Sequence, residues 1–298
     1  MIEIAKSLDT LEIYHFWKRI FKEDDHGYTD YFFENKFQPE NTLLIRKEKK
    51  IIATLYRNPH QISFHQHIIP TSMIMWVATD PCFRHLGYMK SLVEKALYLA
   101  QTQEMVTLIQ AYNPMLYTPF NFKMTYYNQR YHVLHLMPNE IFKIEAVIDS
   151  SNLKECYDEF MEAYDGYYNR DNAYFNDYLK EVKAQGGNLF GCYEKDQCVG
   201  YLSYYEQNDY IEVDEFIYKN QSIAKALVSK IESGNKKLYI DVPKAQDLSF
   251  LGTKIESLKD NTMIRINDPK AFCELIQIKE DEINDYFKNS NLYLHEFA

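Results

Sequence analysis

The stretch Arg84-His85-Leu86-Gly87-Tyr88-Met89 joins a strand-like run, Met73 to Thr79, to a segment with helical spacing. A turn of this kind directs free main-chain N–H groups and the positive end of the helix dipole at one point. Gly87 lets a ligand approach the backbone closely, and Arg84 adds positive charge. The sequence therefore predicts a pyrophosphate site here. The apolar positions of the helix are Met89, Leu92, Val93, Ala96, Leu97 and Ala100.

The wider segment from Val77 to Met89 resembles the acetyl-CoA-binding motif of the GCN5-related N-acetyltransferases (GNAT). In that motif a splayed fourth strand, a pyrophosphate loop and a helix follow in this order, with a proline such as Pro81 before the arginine. Met89 departs from the pattern, since most of the superfamily has Gly or Ala there. The resemblance implies acetyl-CoA as a cosubstrate. It assigns to acetyl-CoA the residues Val77, Ala78, Thr79, Arg84, His85, Leu86, Gly87, Tyr88 and Met89, with Asn113 further along the chain.

Composition limits the function classes that are open to the chain. Its 298 residues suffice for two ordinary domains. A formal net charge of -10 argues against nucleic acid or an anionic membrane as the main partner, because binding a polyanion requires a basic surface. A small cationic molecule suits this charge better, and a homo-oligomer is compatible with it.

Neither a metal nor a disulfide framework is expected. The 5 cysteines are scattered without a Cys-x-x-Cys pair. His60, His65 and His67 are the best alternative ligands, but no acidic or cysteine ligand lies near them in sequence, and acetyl transfer of this kind requires no metal. The chain start lacks the pattern of a secretion signal, and no apolar run is long enough to span a membrane. A cytoplasmic location is therefore expected.

Secondary-structure signals around the turn follow the order of the acetyltransferase fold. An amphipathic helix is predicted at 8–21, then strands at 42–46, 51–56 and 62–65, with breaks at Asn58-Pro59 and Pro70. The fourth strand, the turn and its helix come next, and residues 106–111 form a fifth strand. This crossover places the fourth and fifth strands in parallel.

The chain from Ile144 onward repeats this order. Helices to Tyr164 and at 174–184 precede strands at 188–193, 198–205 and 210–218, and a further helix begins near Ser222. Where the anion-binding turn should recur, Lys219 to Ala224 contains neither Arg nor Gly. This segment is therefore poorly suited to the close approach of a pyrophosphate to the backbone. We predict that this second lobe binds no acetyl-CoA.

The last segment contains a predicted strand at 262–266 and a helix capped by Asp268, with Pro269 at its first position. Two acetyltransferase lobes, the second degenerate, followed by such a strand resemble the enhanced-intracellular-survival type of bacterial N-acetyltransferase over essentially the whole chain. That family continues with a sterol-carrier-like domain, here reduced to a remnant. The predicted fold is α/β (α+β), each lobe having a mixed, mostly antiparallel sheet flanked by helices. The predicted domains are 1–139 (catalytic), 140–260 (degenerate) and 261–298 (remnant).

Tyr117 is the predicted proton donor. It opens Tyr117-Thr118-Pro119-Phe120-Asn121-Phe122, which resembles the family's Tyr-x-x-Phe-Gly-Phe segment with Asn121 in place of Gly. The tyrosine of that segment is the family's general acid, which protonates the departing thiolate. Cys82, beside the turn, raises the alternative of an acetyl-cysteine intermediate, but direct attack by the amine fits the resemblance better.

An acceptor amine must be attracted before it reacts. Glu23, Asp24 and Asp25 follow the first predicted helix and oppose its dipole, a cost that a functional role would explain. They are the predicted substrate-binding residues, although a solvated charge run that closes a helix explains them equally well.

Together these patterns predict an acetyl-CoA-dependent N-acetyltransferase acting by direct transfer on a primary amine of a cationic small molecule. The alternative is a non-enzymatic acyl-CoA-binding or sensing module. In the resembled family the terminal carboxylate, here that of Ala298, returns to the active site and helps to deprotonate the amine. We expect instead that the shortened tail packs elsewhere and that water linked to main-chain carbonyls removes the proton.

Overall fold

The computed structural model describes residues 1–22, 27–134 and 141–296, and for residues 256–261 it describes the main chain only. The first half contains β1 (Ile2–Ile4), α1 (Thr10–Ile20), α2 (Tyr28–Asn35), β2 (Thr42–Lys47), β3 (Lys50–Phe64), β4 (His67–Thr79), α3 (Tyr88–Ala100), β5 (Val106–Gln110) and β6 (Lys123–Val133). The remainder contains β7 (Lys143–Ala146), α4 (Leu153–Met161), β8 (Gly166–Tyr168), α5 (Asn172–Ala184), β9 (Asn188–Glu194), β10 (Gln197–Glu206), β11 (Tyr210–Tyr218), α6 (Gln221–Ser229), β12 (Lys237–Pro243), β13 (Gly252–Ile266), α7 (Pro269–Ile276), α8 (Ile283–Asn289) and β14 (Leu292–Tyr293).

The strands form one continuous sheet. Its order is β1-β2-β3-β4-β5-β13-β6-β12-β11-β10-β9-β7, and β8 joins it by pairing with β3 and with β14. Among the described strands, β4 with β5, β11 with β12 and β8 with β14 are parallel, and the other neighbours are antiparallel. The expected α/β fold with a mixed, mostly antiparallel sheet is confirmed.

Two crossovers of the same form produce the long parallel pairs, β4-α3-β5 in the first lobe and β11-α6-β12 in the second. Between them, strands exchange places along the sheet. β13 comes late in the chain but lies between β5 and β6, with Met263 opposite both Ile109 and Met124. β6 in turn pairs with β12. One sheet thus joins the two lobes, and their division into separate domains stays a prediction.

The prolines at Asn58-Pro59 and Pro70 do not break the strands, which corrects the expected breaks. β3 runs through Pro59, and β4 runs through Pro70. Proline has no N–H and is tolerated in a strand where no ladder bond is required of it. The second edge of β3 pairs with β2 up to Tyr56 and with β8 from Ile62, so Pro59 lies in the interval between the two pairings.

Helices cover both faces of the first lobe's sheet. Consecutive strand residues point to opposite faces. Ile74 packs in the apolar cluster under α3, whereas Met73 packs with residues of α7 and α8. Met75, on the same face as Met73, joins the cluster under α1 and α2. β4 is therefore fixed from both sides, which holds the turn that follows it.

Candidate active site

A gap opens between β4 and β5 at the end of the sheet where the chain turns into α3. The two strands pair from Thr71 opposite Val106 to Ile74 opposite Ile109. β4 then continues along β3 as far as Thr79. Beyond Ile74, the edge of β4 that faces β5 has no strand partner in the described part of the chain. This is the splayed strand that the sequence predicts.

A β-bulge shapes the free end of β4. Trp76 and Val77 together lie opposite a single residue of β3, and Trp76 has a left-handed φ of +53°. Ala78 pairs with β3, as does the N–H of Asp80. By alternation, the main-chain groups of Val77 and Thr79 face the gap. The main chain of Ala78 is paired with β3 and its side chain packs under α1, so its predicted contact with the cofactor stays a prediction.

The turn after β4 leaves a row of main-chain donors open. Gly87 precedes α3 with a left-handed φ of +80°. The N–H of Ser91 bonds the Gly87 carbonyl at 3.0 Å, but the N–H groups from His85 to Lys90 have no acceptor among the described residues. A Cβ at Gly87 would meet no atom within 4 Å. The space in front of these donors is therefore open, as an anion at a helix N-terminus requires.

The side chains of Asp80 and Arg84 stabilise the turn. Asp80 accepts a hydrogen bond from the Cys82 N–H at 3.0 Å and pairs with Arg19 at 2.9 Å. Arg84 Nε donates to the Thr79 carbonyl at 3.4 Å, which ties the turn to the end of β4. The Arg84 side chain is otherwise exposed, as are the neighbouring side chains of the turn, so its terminal nitrogens remain accessible to a ligand.

The corresponding junction of the second lobe is closed by its own side chains. Asn220 Oδ1 accepts hydrogen bonds from the N–H groups of Ser222 at 3.0 Å and Ile223 at 3.1 Å. Lys219 Nζ pairs with Glu159 at 2.8 Å. An asparagine cap thus occupies the donors that the first lobe leaves open. This is a physical reason for the predicted absence of a second cofactor site.

Tyr117 lies between two short 3-10 turns after β5 and is 7% exposed. It belongs to the apolar cluster under α3, against which Val77, Tyr88 and Met89 also pack. Tyr117 therefore shares one apolar cluster with residues at the end of β4 and the start of α3. Burial raises the pKa of the Tyr117 hydroxyl to about 12, so it is protonated at neutral pH.

The two asparagines of this loop have local structural roles. Asn113 accepts a hydrogen bond from the Met115 N–H at 3.2 Å and so caps the first 3-10 turn. Its predicted contact with the cofactor stays a prediction. Asn121 replaces the family's glycine and adopts a φ of +64°. Asparagine is among the residues that adopt this conformation most readily, which explains why the substitution is tolerated.

The acidic patch Glu23, Asp24 and Asp25 lies outside the described residues and stays a prediction. Among the described residues, an aromatic stack covers the bulge of β4. Trp76 stacks on Trp17 at 4.7 Å between ring centroids and lies parallel to Tyr28 at 6.1 Å. Trp76 Nε1 is buried without an acceptor in the described regions. Sequence reasoning missed Trp76, although its place just before the motif was an available signal.

The chain end returns to the junction of the two lobes. Leu294 is fully buried, and its carbonyl accepts a hydrogen bond from the Thr262 hydroxyl at 3.3 Å. The Gln110 side chain, at the end of β5, donates to the Glu296 carbonyl at 3.1 Å. Residues 292–296 thus lie at the junction of the lobes, where β14 pairs with the edge of β8. The expectation that the Ala298 carboxylate does not reach the active site stays a prediction. Ala298 lies outside the described residues.

Within the described ranges, no group of three His, Cys, Asp or Glu side chains is placed to hold a metal ion. The same residues include no helix long and apolar enough to cross a membrane.

Comparisons with known proteins agree with this geometry. Residues 2–125 match the family model described as an acetyltransferase (GNAT) domain. No curated protein matches the sequence. Among solved structures, a probable N-acyltransferase from Enterococcus faecalis is similar with a TM-score of 0.75 and 17% identity, over 92% of this chain and 74% of that one.

Two further solved structures show the same likeness. A GCN5-related N-acetyltransferase from Kribbella flavida has a TM-score of 0.73 at 13% identity, over 91% of this chain and 72% of that one. Eis1 from Mycobacterium abscessus has a TM-score of 0.68 at 15% identity, over 91% of this chain and 75% of that one. This chain therefore has the fold of the GNAT acetyltransferases, and its residues 2–125 match the acetyltransferase domain of that family.

Proposed function

We propose that this protein is an acetyl-CoA-dependent N-acetyltransferase that acetylates a primary amine of a small cationic molecule by direct transfer. The observation that carries the proposal is the row of N–H groups from His85 to Lys90, which have no acceptor among the described residues, at the end of a splayed strand. A helix N-terminus with open donors and open space is suited to a pyrophosphate.

The residues at the gap fit the parts of acetyl-CoA. The donors of the turn, with Arg84, would hold the phosphates, and Gly87 leaves room for them. The main-chain groups of Val77 and Thr79 face the gap and would pair with the amides of the pantetheine arm, as a neighbouring strand does. Acetyl-CoA supplies the activated acetyl thioester. The residues of this chain would position the thioester and supply the proton for the departing thiolate.

Tyr117 is the proposed proton donor. A departing thiolate requires a proton, because an ordinary thiol has a pKa of about 8.5 and a buried thiolate is poorly solvated. Burial raises the pKa of Tyr117 to about 12, so its hydroxyl is protonated at neutral pH and is available to the thiolate, whose own pKa is also raised where it is poorly solvated. The tyrosine belongs to the same apolar cluster as Val77 and Tyr88, which supports its placement at the acetyl end.

We propose the class of the acceptor from the net charge of the protein. The net charge of -10 favours a cation, and Glu23, Asp24 and Asp25 are the proposed contacts for its ammonium group. We also propose that the chain consists of two acetyltransferase lobes, at 1–139 and 140–260, and a C-terminal segment at 261–298. The matching crossovers β4-α3-β5 and β11-α6-β12 support this arrangement, and the Asn220 cap supports a single cofactor site in the first lobe.

The test is release of free thiol from acetyl-CoA in the presence of polyamines, aminoglycosides and lysine-like amines, each at a saturating concentration. We expect turnover with at least one cationic primary amine and none with a neutral alcohol of similar size. Binding of acetyl-CoA without turnover on any amine would instead support a non-enzymatic acyl-CoA-binding or sensing module.

A further inference from the structure

Arg170 lies at the junction of the lobes, between β8 and α5, and only 3% of its surface is exposed. Its guanidinium pairs with Glu215, which is 1% exposed, and with Glu296 at 3.5 Å. The same group lies 4.6 Å from the ring centroids of both Tyr157 and Tyr174. A charge in such a place is costly to bury unless its partners are well arranged, and here the partners come from four separate segments: α4, α5, β11 and the chain end.

One of these segments is the chain end, and the Arg170 side chain also binds the main chain of this segment. Arg170 Nη2 donates to the His295 carbonyl at 2.9 Å. The Tyr174 hydroxyl donates to Glu296 Oε1 at 2.8 Å. We call residues 292–296 the tail segment. The second lobe therefore binds two consecutive residues of it, His295 and Glu296.

The tail segment also contacts the first lobe: Leu292 and Leu294 pack in the apolar cluster that contains Met73 and Leu108, and a hydrogen bond joins the tail to the end of β5. The Gln110 amide donates to the Glu296 carbonyl at 3.1 Å. Gln110 is the last residue of β5, and the loop that begins after it carries Tyr117. The turns of that loop are bonded in sequence, with the Tyr117 N–H donating to the Pro114 carbonyl at 3.0 Å. Gln110 is therefore joined to the turn of Tyr117 by a short stretch of main chain.

We propose that Arg170 is a positioning residue of the reaction, which acts through the tail segment and Gln110 to place the loop of Tyr117. The inference rests on the proposed acetyl transfer. It gives the second lobe a part in catalysis although its own cofactor junction is closed. Arginine suits this part because its planar fork bonds several acceptors at once, whereas lysine presents one compact charge.

Three variants separate positioning from stability alone. Glu296→Gln removes one negative charge from the tail segment and leaves Arg170 paired with Glu215, so the fold should tolerate it. Gln110→Leu removes the bond from β5 to the tail segment. Arg170→Lys keeps the charge and removes the fork. Glu159→Gln, at the exposed pair with Lys219, is the matched control.

We expect Glu296→Gln and Gln110→Leu each to lower kcat roughly tenfold with the KM for acetyl-CoA unchanged, since small misplacements of a catalytic group are costly. The double variant should lose no more than the worse single variant, because both act along one chain of contacts. Arg170→Lys should show the same loss in kcat, and Glu159→Gln should show none. Multiplying losses in the double variant, or unchanged kcat in the single ones, would overturn the inference.

Hydrogen exchange of the wild type and variants tests the mechanical link without any substrate. Glu296→Gln should speed exchange in both the tail segment and residues 110–117, and the control should speed neither. Faster exchange in the tail segment alone would refute the link. If no amine is turned over by the wild type, the proposed function fails, and this measurement still decides whether the tail orders the loop.

Discussion

Replacing Gly87 with Glu tests the proposed cofactor site most directly, because another glycine with a similar backbone conformation, Gly186, provides a matched control. Gly87 and Gly186 have left-handed φ angles of +80° and +72°, and a Cβ at either would meet no atom within 4 Å. Gly87 precedes α3, whereas Gly186 follows α5. The two substitutions thus impose the same backbone strain, and only one of them adds a carboxylate beside the open donors.

The expected magnitudes follow from this contrast. A non-glycine residue in the left-handed region costs roughly 1–2 kcal/mol, so both variants should lose about that much stability. In Gly87→Glu the new carboxylate also competes with the pyrophosphate for the N–H groups. Losing two charge-assisted hydrogen bonds at about 1.5 kcal/mol or more each corresponds to a loss in affinity of roughly 100-fold or more. Arg84→Gln removes one partner and should cost roughly 10-fold to 100-fold.

Isothermal titration with acetyl-CoA measures the affinities, and thermal unfolding measures the shared strain. Gly186→Glu should bind acetyl-CoA as the wild type does. Wild-type affinity in Gly87→Glu would refute the placement of the pyrophosphate, and an equal loss in both glutamate variants would mean that strain alone weakens binding.

Three further results are expected. Tyr117→Phe should lower turnover roughly 100-fold or more with acetyl-CoA affinity unchanged, as loss of a general acid does, and single-turnover kinetics would reveal a residual rate close to the wild type if Tyr117 were only a packing residue. Calorimetry should report one acetyl-CoA per chain, because Asn220 caps the second junction, and a stoichiometry of two would contradict this. Burial raises the pKa values of Tyr117 and Tyr286 to about 12, so their contribution to stability is complete below pH 10 and is lost as the pH rises through 12. Tyrosinate absorbance should therefore lag behind that of free tyrosine until unfolding begins, and full ionisation near pH 10 in the folded protein would be inconsistent with these burials.

Much of the fold was readable from local pattern. The strand, turn and helix around Arg84 to Met89 carry their signals within a few residues, and the helix at Pro269 begins where Asp268 and the proline predict. The prolines of β3 and β4 led to wrongly predicted strand breaks, because a missing N–H disrupts a strand only where a neighbouring strand needs that N–H for a hydrogen bond. Sequence shows the proline but not the neighbouring strand.

What the sequence determined by itself is the strand–turn–helix geometry of Arg84 to Met89, since its open donors, its glycine and its helix all belong to one short stretch. What only the tertiary structure decided is how the distant segments meet. The place of β13 between β5 and β6, and the path of residues 292–296 to Arg170 and Gln110, depend on pairings between residues more than a hundred positions apart. No local periodicity encodes such a pairing, because it is selected by which edge and which buried charge remain free once the rest of the chain has folded.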